Sequence, residues 1–304
     1  MPTRFFIAAI LAFTLTAPTL AEDPYRNPIV FQRAELDENT GKPIRAGKIW
    51  IMEEDGSRQR RITDGMTYDE HASVYSDQQH VLFSQFNANA YDHDSGAVLI
   101  KQNIYTGKRE TVLHEDGCAL HHASLSPVGD TPAYHRNCGP HRSQRVGFGD
   151  KMYEVQLEGT NGVVLGDSII VMHEKNRGLK SRQVSLLRIW GAGTASRAEA
   201  LTDEQSLHRR AAVTPDGKQF AWQTNLEGDG DEIYLADIDG SNPRNLTKAK
   251  GNDGHPWFSR DGKWIVFESD RSGQWEIWRL ERATGKQLQL TDGGKKYSST
   301  RARM

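Results

Sequence analysis

Five segments of similar composition punctuate the chain at near-regular intervals, and their spacing dictates the class of fold. They are "RRITDG" at Thr63, "TVLHEDG" at His114, "EALTDE" at Thr202, "RNLTKA" at Thr247 and "LQLTDG" at Thr291. Successive separations are 51, 88, 45 and 44 residues, and 88 is twice 44, so one copy between His114 and Thr202 has lost its mark. Counting 20 residues on from the first four anchors lands on Phe83, Tyr134, Trp222 and Phe267, each inside an apolar run. Self-similarity at a period of roughly 20–50 residues is the signature of a repeat architecture.

Each unit carries the same parts. A short strand leads to a tight turn, "YSDQ", "SPVGD", "TPDGK" or "SRDGK". A second strand follows ("HVLFSQF", "PAYHRN", "QFAWQTN", "WIVFESD"), then a polar loop, a third strand such as "EIYLADI" or "EIWRLER", and a fourth ending near the anchor. Alternating apolar residues, β-branched and aromatic enrichment, and Gly/Asp turns all indicate strands. A four-stranded antiparallel unit of this length is the size of a propeller blade.

The ends complete the count. "NPIVFQR" matches the second strand of a unit, and "GKIWIMEEDG" and "RQRRITDG" match the third and fourth. "KKYSSTRARM" stands where a first strand belongs. One strand from the back and three from the front make one blade, which removes an open sheet edge. The expected fold is therefore all-β: a six-bladed β-propeller of four-stranded antiparallel blades, closed by N- and C-terminal strands in one blade. Gly139 to Gly193 is the irregular part, where "KMYEVQLEG" and "SIIVMHEK" read as strands without a recognisable turn between them.

Residues 1–21 lie outside this scheme. Arg4, an apolar core from Phe5 to Ala17, and small residues before Ala21 have the plan of a secretory signal peptide cleaved near Ala21. A retained anchor is the competing reading, against which the core is shorter than the roughly 20 residues of a membrane helix. Residues 22–304 would then form a single propeller domain in the periplasm or outside the cell. No later apolar run reaches membrane-spanning length. Removing Arg4 leaves 37 basic against 40 acidic residues, so charge argues for neither nucleic acid nor an anionic membrane. Cys118 and Cys138 lie ten residues either side of Val128, the tip of a strand-turn-strand segment, so an antiparallel hairpin brings them together as a disulfide.

"DGHPWFSRDGKWIVFESD" and "VTPDGKQFAWQTNLEGDGDEIYLADIDGSNPRNLT" resemble the WD40-like (PD40) repeat of the TolB-type propellers. The resemblance covers nearly all of residues 22–304 and is strongest in the last two units. It speaks for fold more than function. The family includes periplasmic scaffold proteins, propellers attached to serine peptidases, and metal-dependent oligogalacturonate lyases. TolB carries an additional α/β domain before its propeller, whereas this chain enters its first blade by about Asn27. The peptidases need a Gly-x-Ser-x-Gly elbow, which is missing here.

Candidate site residues come from the repeat. Eight residues beyond the anchors stand His71, His122, Arg210, His255 and Ser299, at the start of the innermost strands. Three of the chain's 11 histidines thus converge on one axis. His71, His122 and His255 suit a divalent cation such as zinc, manganese or nickel, with Asp69, Glu70 and Asp253 near enough in sequence to add oxygen. His208, Arg210 and Ser299 are the expected ligand-binding groups at the channel mouth. A second group, His121, His122, His135 and His141, surrounds the cysteine hairpin and reads as locally hydrogen-bonded. "NLEGDGDE" (Asn225–Glu232) lacks the full calcium-loop spacing and reads as a hairpin loop. Trp222, Trp257, Trp264, Trp275 and Trp278 recur at strand positions, as interblade packing requires.

Two functions follow from the resemblance and these residues. The first is a non-catalytic binding or scaffold protein that takes a protein, peptide or envelope ligand over the channel mouth. The second is a lyase or hydrolase of acidic oligosaccharides, with a histidine-bound metal and Arg210 neutralising the substrate carboxylate.

Overall fold

The computed structural model describes residues 23–44, 47–87, 96–126, 129–138, 145–148, 151–153, 162–176, 179–190, 197–228 and 230–304. Residues 1–21, expected to be a signal peptide, His141 and Val128 lie outside them. Every regular element described is a strand, 24 in all. No helix among the described residues is long and apolar enough to cross a membrane.

The two ends meet in one sheet. β1 (Ile29–Glu35), β2 (Lys48–Met52) and β3 (Arg60–Arg61) follow in order, and the last strand, β24 (Tyr297–Arg303), pairs antiparallel with β1. Next comes the run β4 (Tyr68–Val74), β5 (His80–Phe86), β6 (Ala97–Asn103) and β7 (Arg109–Leu113). It is followed by β8 (Cys118–Leu125), β9 (Pro132–Cys138), β10 (Arg145–Phe148) and β11 (Lys151–Tyr153). The remaining runs are β12 (Val163–Leu165), β13 (Ser168–Lys175), β14 (Gln183–Trp190) and β15 (Arg197–Ala200); β16 (His208–Val213), β17 (Gln219–Thr224), β18 (Glu232–Asp237) and β19 (Arg244–Asn245); and β20 (Asp253–Phe258), β21 (Trp264–Ser269), β22 (Glu276–Glu281) and β23 (Gln287–Gln289). These are antiparallel four-stranded propeller blades.

Separate sheets were expected for six blades, and five sheets form. The run β4–β7 and the run β8–β11 share one eight-stranded sheet through a single parallel pair, Ala97↔Ala119. Gly96 allows this approach: its φ is +76°, and a Cβ there would stand 3.3 Å from the Cys118 carbonyl oxygen.

The repeated threonine has a structural task. The side-chain oxygens of Thr63, Thr202, Thr247 and Thr291 accept hydrogen bonds from the backbone N–H groups of Ile49, Leu186, Ile233 and Ile277, at 2.8–3.0 Å. Each ties the end of a fourth strand to the third strand of its own run. The turn aspartates are equally local, Asp216 accepting from the Thr214 hydroxyl and the Lys218 N–H, and Asp261 from Ser259 and Lys263. In the irregular region β12 and β13 join through the two residues Gly166 and Asp167, with Leu165 paired to Ser168. That short turn has no place for the usual Ser/Thr-x-Asp-Gly sequence, which is why no such turn is recognisable there; the missing anchor, expected near residue 158, lies outside the described residues.

The core lies between runs. Val30, Ile49 and Ile51 pack against Val74, Val81 and Phe83. Leu82 and Leu99 meet Leu120 and Tyr134. Ala133 meets Val164, Ile169 and Val171. Ile170, Met172 and Leu186 meet Val213, Phe220 and Trp222. Ala221, Ile233 and Leu235 meet Ile265 and Phe267. Ile29, Phe31 and Met52 meet Val266, Ile277 and Leu290, which closes the circuit. Each fully buried aliphatic or aromatic side chain contributes about 1.5–3 kcal/mol, so every run is held mainly by its neighbours.

Candidate functional site

The innermost strands share an irregularity that aims side chains at the axis. In β4, β8, β16, β20 and β24 the pairing register breaks at one point. The first residue after each break has a left-handed backbone: His71 at φ 50°, His122 at 54°, Arg210 at 55°, His255 at 48° and Arg301 at 56°. Non-glycine residues seldom adopt this conformation, and when they do the surrounding structure over-determines it. A bulge also re-aims its side chain away from the regular pleat.

Four of the five residues counted from the anchors occupy these bulges. The fifth does not. Ser299 is fully buried and bonds the Arg33 side chain at 3.0 Å, while Arg301 takes the bulge position. The link from Thr291 to the last bulge is ten residues instead of eight, and the count slips by two. His208 is also displaced from its expected place. Its Nδ1 accepts from Trp222 Nε1 at 3.0 Å and its Nε2 lies 3.2 Å from Asp203. Alternation would put His208 on the face of Arg210, but the bulge between them breaks the period of two.

The histidine rings converge. The centroids of His71 and His122 are 4.3 Å apart, and those of His71 and His255 are 6.2 Å apart. His121 and His135 join from the cysteine hairpin, where Cys118 and Cys138 form a disulfide with Cα atoms 4.2 Å apart. The His121 ring lies 4.5 Å from His122 and 5.0 Å from His135.

Two carboxylates organise the hub. Glu70 is fully buried; its Oε2 lies 3.1 Å from Arg301 Nη1 and 3.2 Å from His71 Nδ1. Its Oε1 lies 3.8 Å from His122 Nε2 and 3.9 Å from His121 Nδ1. Glu268 binds His255 Nδ1 at 2.6 Å and accepts the Arg301 backbone N–H at 2.7 Å. By contrast Asp69 is taken by Lys48 and Gln85, and Asp253 by Arg271. Both are spent on structural pairs.

Arginine supplies the rest. Arg210, Arg301 and Arg303 line a cavity of about 20 Å³ together with His122, His255 and Trp257. Such a volume admits one water-sized group. Arg303 bonds the Ser73 hydroxyl and the Ala123 carbonyl and lies 4.7 Å over the Trp257 ring. Among the described residues, no carboxylate lies within ion-pair distance of Arg210 or Arg303, and Arg210 Nη1 is buried with no hydrogen-bond partner.

The electrostatics follow from burial. Desolvation pushes His71 and His122 well below the usual imidazole range, reinforced by the arginines around His71 and by His71 and His121 around His122. Burial takes His255 down to about 4 despite Glu268. Arg210 falls to about 10 and Arg303 to about 9, burial again leading and the neighbouring arginines adding to it. Burial would lower Arg301 too, but Tyr68, Glu70 and Glu268 outweigh it and hold its guanidinium firmly charged.

Sequence reasoning missed Arg301, Arg303 and Glu268. The first two lie past the longer link. Glu268 sits in "WIVFESD", which reads as an ordinary second strand. Among the described residues of the loop "NLEGDGDE" the carboxylates are spent separately: Asp231 holds Arg209, Glu227 accepts from Tyr234, and Glu232 accepts the Ala249 N–H. Trp222, Trp257 and Trp278 pack in the clusters between runs, and Arg279 stacks on Trp264 at 3.9 Å.

Residues 187–304 match the family model of the TolB β-propeller domain, PD40. An uncharacterized protein of Agrobacterium fabrum, Atu1656, is 39% identical over 80 residues, 26% of this chain and 27% of that protein. The match thus spans about a quarter of that relative. TolB from Acinetobacter baumannii superposes with a TM-score of 0.67 at 15% identity, over 91% of this chain and 66% of that one. A putative TolB from Agrobacterium tumefaciens gives 0.60 at 13% identity, over 87% and 89%. Likeness at such identities concerns the fold.

Proposed function

We propose that this chain is an exported, six-bladed TolB-like propeller that binds a protein, peptide or envelope ligand at its hub, without catalysing a reaction. The six blades count the eight-stranded sheet as two. Export rests on the leader plan of residues 1–21, with cleavage near Ala21, and on the Cys118–Cys138 disulfide, which persists in oxidising compartments such as the periplasm.

One observation carries the binding reading: three guanidinium groups and no carboxylate line a small cavity, and among the described residues no carboxylate pairs directly with Arg210 or Arg303. A buried unpaired charge is costly, and a ligand carboxylate would supply the missing partner. The ligand is therefore an acidic one, presenting a single carboxylate oxygen to this space from an Asp, Glu or C-terminal carboxylate, or from a uronic acid of the envelope.

The test is binding of acidic peptides and of their amide-neutralised counterparts to the purified exported protein. Acidic members should bind about tenfold or more tightly, a difference of about 1.4 kcal/mol, and Arg210→Gln should abolish the preference. Equal binding of neutral counterparts, or an Arg210→Gln protein that still discriminates, refutes the assignment. The metal-dependent reading has its own support in the imidazole cluster beside this cavity.

A further inference from the structure

We propose that Glu70, His71 and His122 form a binding site for one divalent transition cation of the zinc class. Three observations carry this. The first is an unexplained cost. His71 is fully buried, and neither ring nitrogen makes a hydrogen bond. Buried polar atoms are nearly always satisfied, and each orphan costs about 1–3 kcal/mol. Its Nδ1 approaches Glu70 Oε2 to 3.2 Å without hydrogen-bond geometry. Two donors held close but not bonded to each other are arranged as co-ligands.

The second is size. A tetrahedral ion with ligands at about 2.1 Å places them about 3.4 Å apart. From the Glu70 oxygens the His71 and His122 nitrogens stand at 3.2 and 3.8 Å. Glu70, His71 and His122 offer ligand atoms that all lie within 4.8 Å of one another. Imidazole with a single carboxylate is a donor set for zinc, nickel or iron rather than calcium or magnesium.

The third is support around the ligands. The His122 backbone N–H donates to Glu70 Oε1, and Arg301 holds Oε2. Such outer contacts orient ligating carboxylates in metal sites. The bulges at His71 and His122 and the disulfide beneath β8 and β9 hold the strands in register. His255, expected from the sequence to be a ligand, has its Nδ1 committed to Glu268 and stands farther from His71 than His122 does. The arginines nearby oppose a dication, so the ion would carry an anion in its open position. The site does not depend on the acidic-ligand reading.

The experiment uses the purified exported protein, stripped with EDTA and dialysed against Zn²⁺, Mn²⁺ or Ni²⁺ in separate runs, with metal per chain measured by elemental analysis. About one equivalent of Zn²⁺ or Ni²⁺ per chain is expected. His71→Gln, His122→Gln and Glu70→Gln should each weaken binding beyond the roughly 10–100-fold typical of an outer-contact residue. His255→Gln should retain the metal. Wild-type protein that keeps only trace metal overturns the proposal. So does loss in His135→Gln with none in His71→Gln, which would place the ion on the His121–His122–His135 side. Should the glutamine variants fail to fold, Co²⁺-loaded wild type decides: strong visible bands of a four-coordinate ion are expected, and their absence refutes the site.

Discussion

Arg301→Met tests how the hub holds together. The substitution keeps much of the apolar stem and removes the guanidinium that faces Glu70 at 3.1 Å, Gln32 at 2.6 Å and the Tyr68 hydroxyl at 3.2 Å. Glu70 has no solvent exposure, so its charge would be left without its arginine partner. Breaking a buried ion pair from one side costs about 3–5 kcal/mol. The Arg301 side chain is 24% exposed, which places the effect at the lower end, near 3 kcal/mol. For a chain of this size each kcal/mol lowers Tm by about 2–4 °C, so a fall of about 6–12 °C is expected. Calorimetry and urea titration in the presence of EDTA would measure it, keeping a bound cation from taking the arginine's place. Glu70→Gln and the double variant complete a cycle. If the pair is the cause, the double variant is about 2 kcal/mol more stable than the two single losses predict. A loss below about 0.5 kcal/mol for Arg301→Met, or simple additivity in the cycle, would refute the reasoning.

Two further outcomes are expected. Replacing Cys118 and Cys138 together by serine opens a closure of 20 residues and should cost about 3 kcal/mol; a urea midpoint that does not move between wild type and the serine variant would contradict a structural role. Acid should also loosen the metal-free protein. Unfolded, the His255 imidazole takes its proton near pH 6.5; folded, only near 4, because burial opposes the charge. Stability is therefore full above about 6.5 and falls as pH drops toward 4, by roughly 3 kcal/mol from this group, with His71 and His122 acting in the same direction. His255→Gln should flatten that slope, and a profile equally steep without the imidazole would rule out the assignment.

Much of the architecture was legible because it depends on local, repeated needs. A threonine recurs at 44 or 45 residues from Thr202 to Thr291, and again at Thr63, because its oxygen must receive a third-strand N–H at the same place in those units. Phe83, Tyr134, Trp222 and Phe267 recur because second strands bury one residue type between neighbours. The cysteines fell opposite each other because a hairpin pairs residues symmetrically about its turn. The same counting located His71, His122, Arg210 and His255. It failed at Ser299, where one link is longer, and at His208, where a bulge reverses the pleat.

Chain order alone thus settles the kind of strand, the length of the unit and the meeting of β24 with β1, since these follow from side-chain periodicity and turn chemistry, which act between residues near in sequence. It does not settle which groups share the hub. Glu70 meets Arg301 across 231 residues, and Glu268 meets the same strand across 33. Such pairs exist because closing the ring gathers innermost strands around one axis, and because five left-handed bulges turn their side chains toward it. Charge compensation and imidazole clustering there are products of that geometry, set by distances through space that no spacing along the chain encodes.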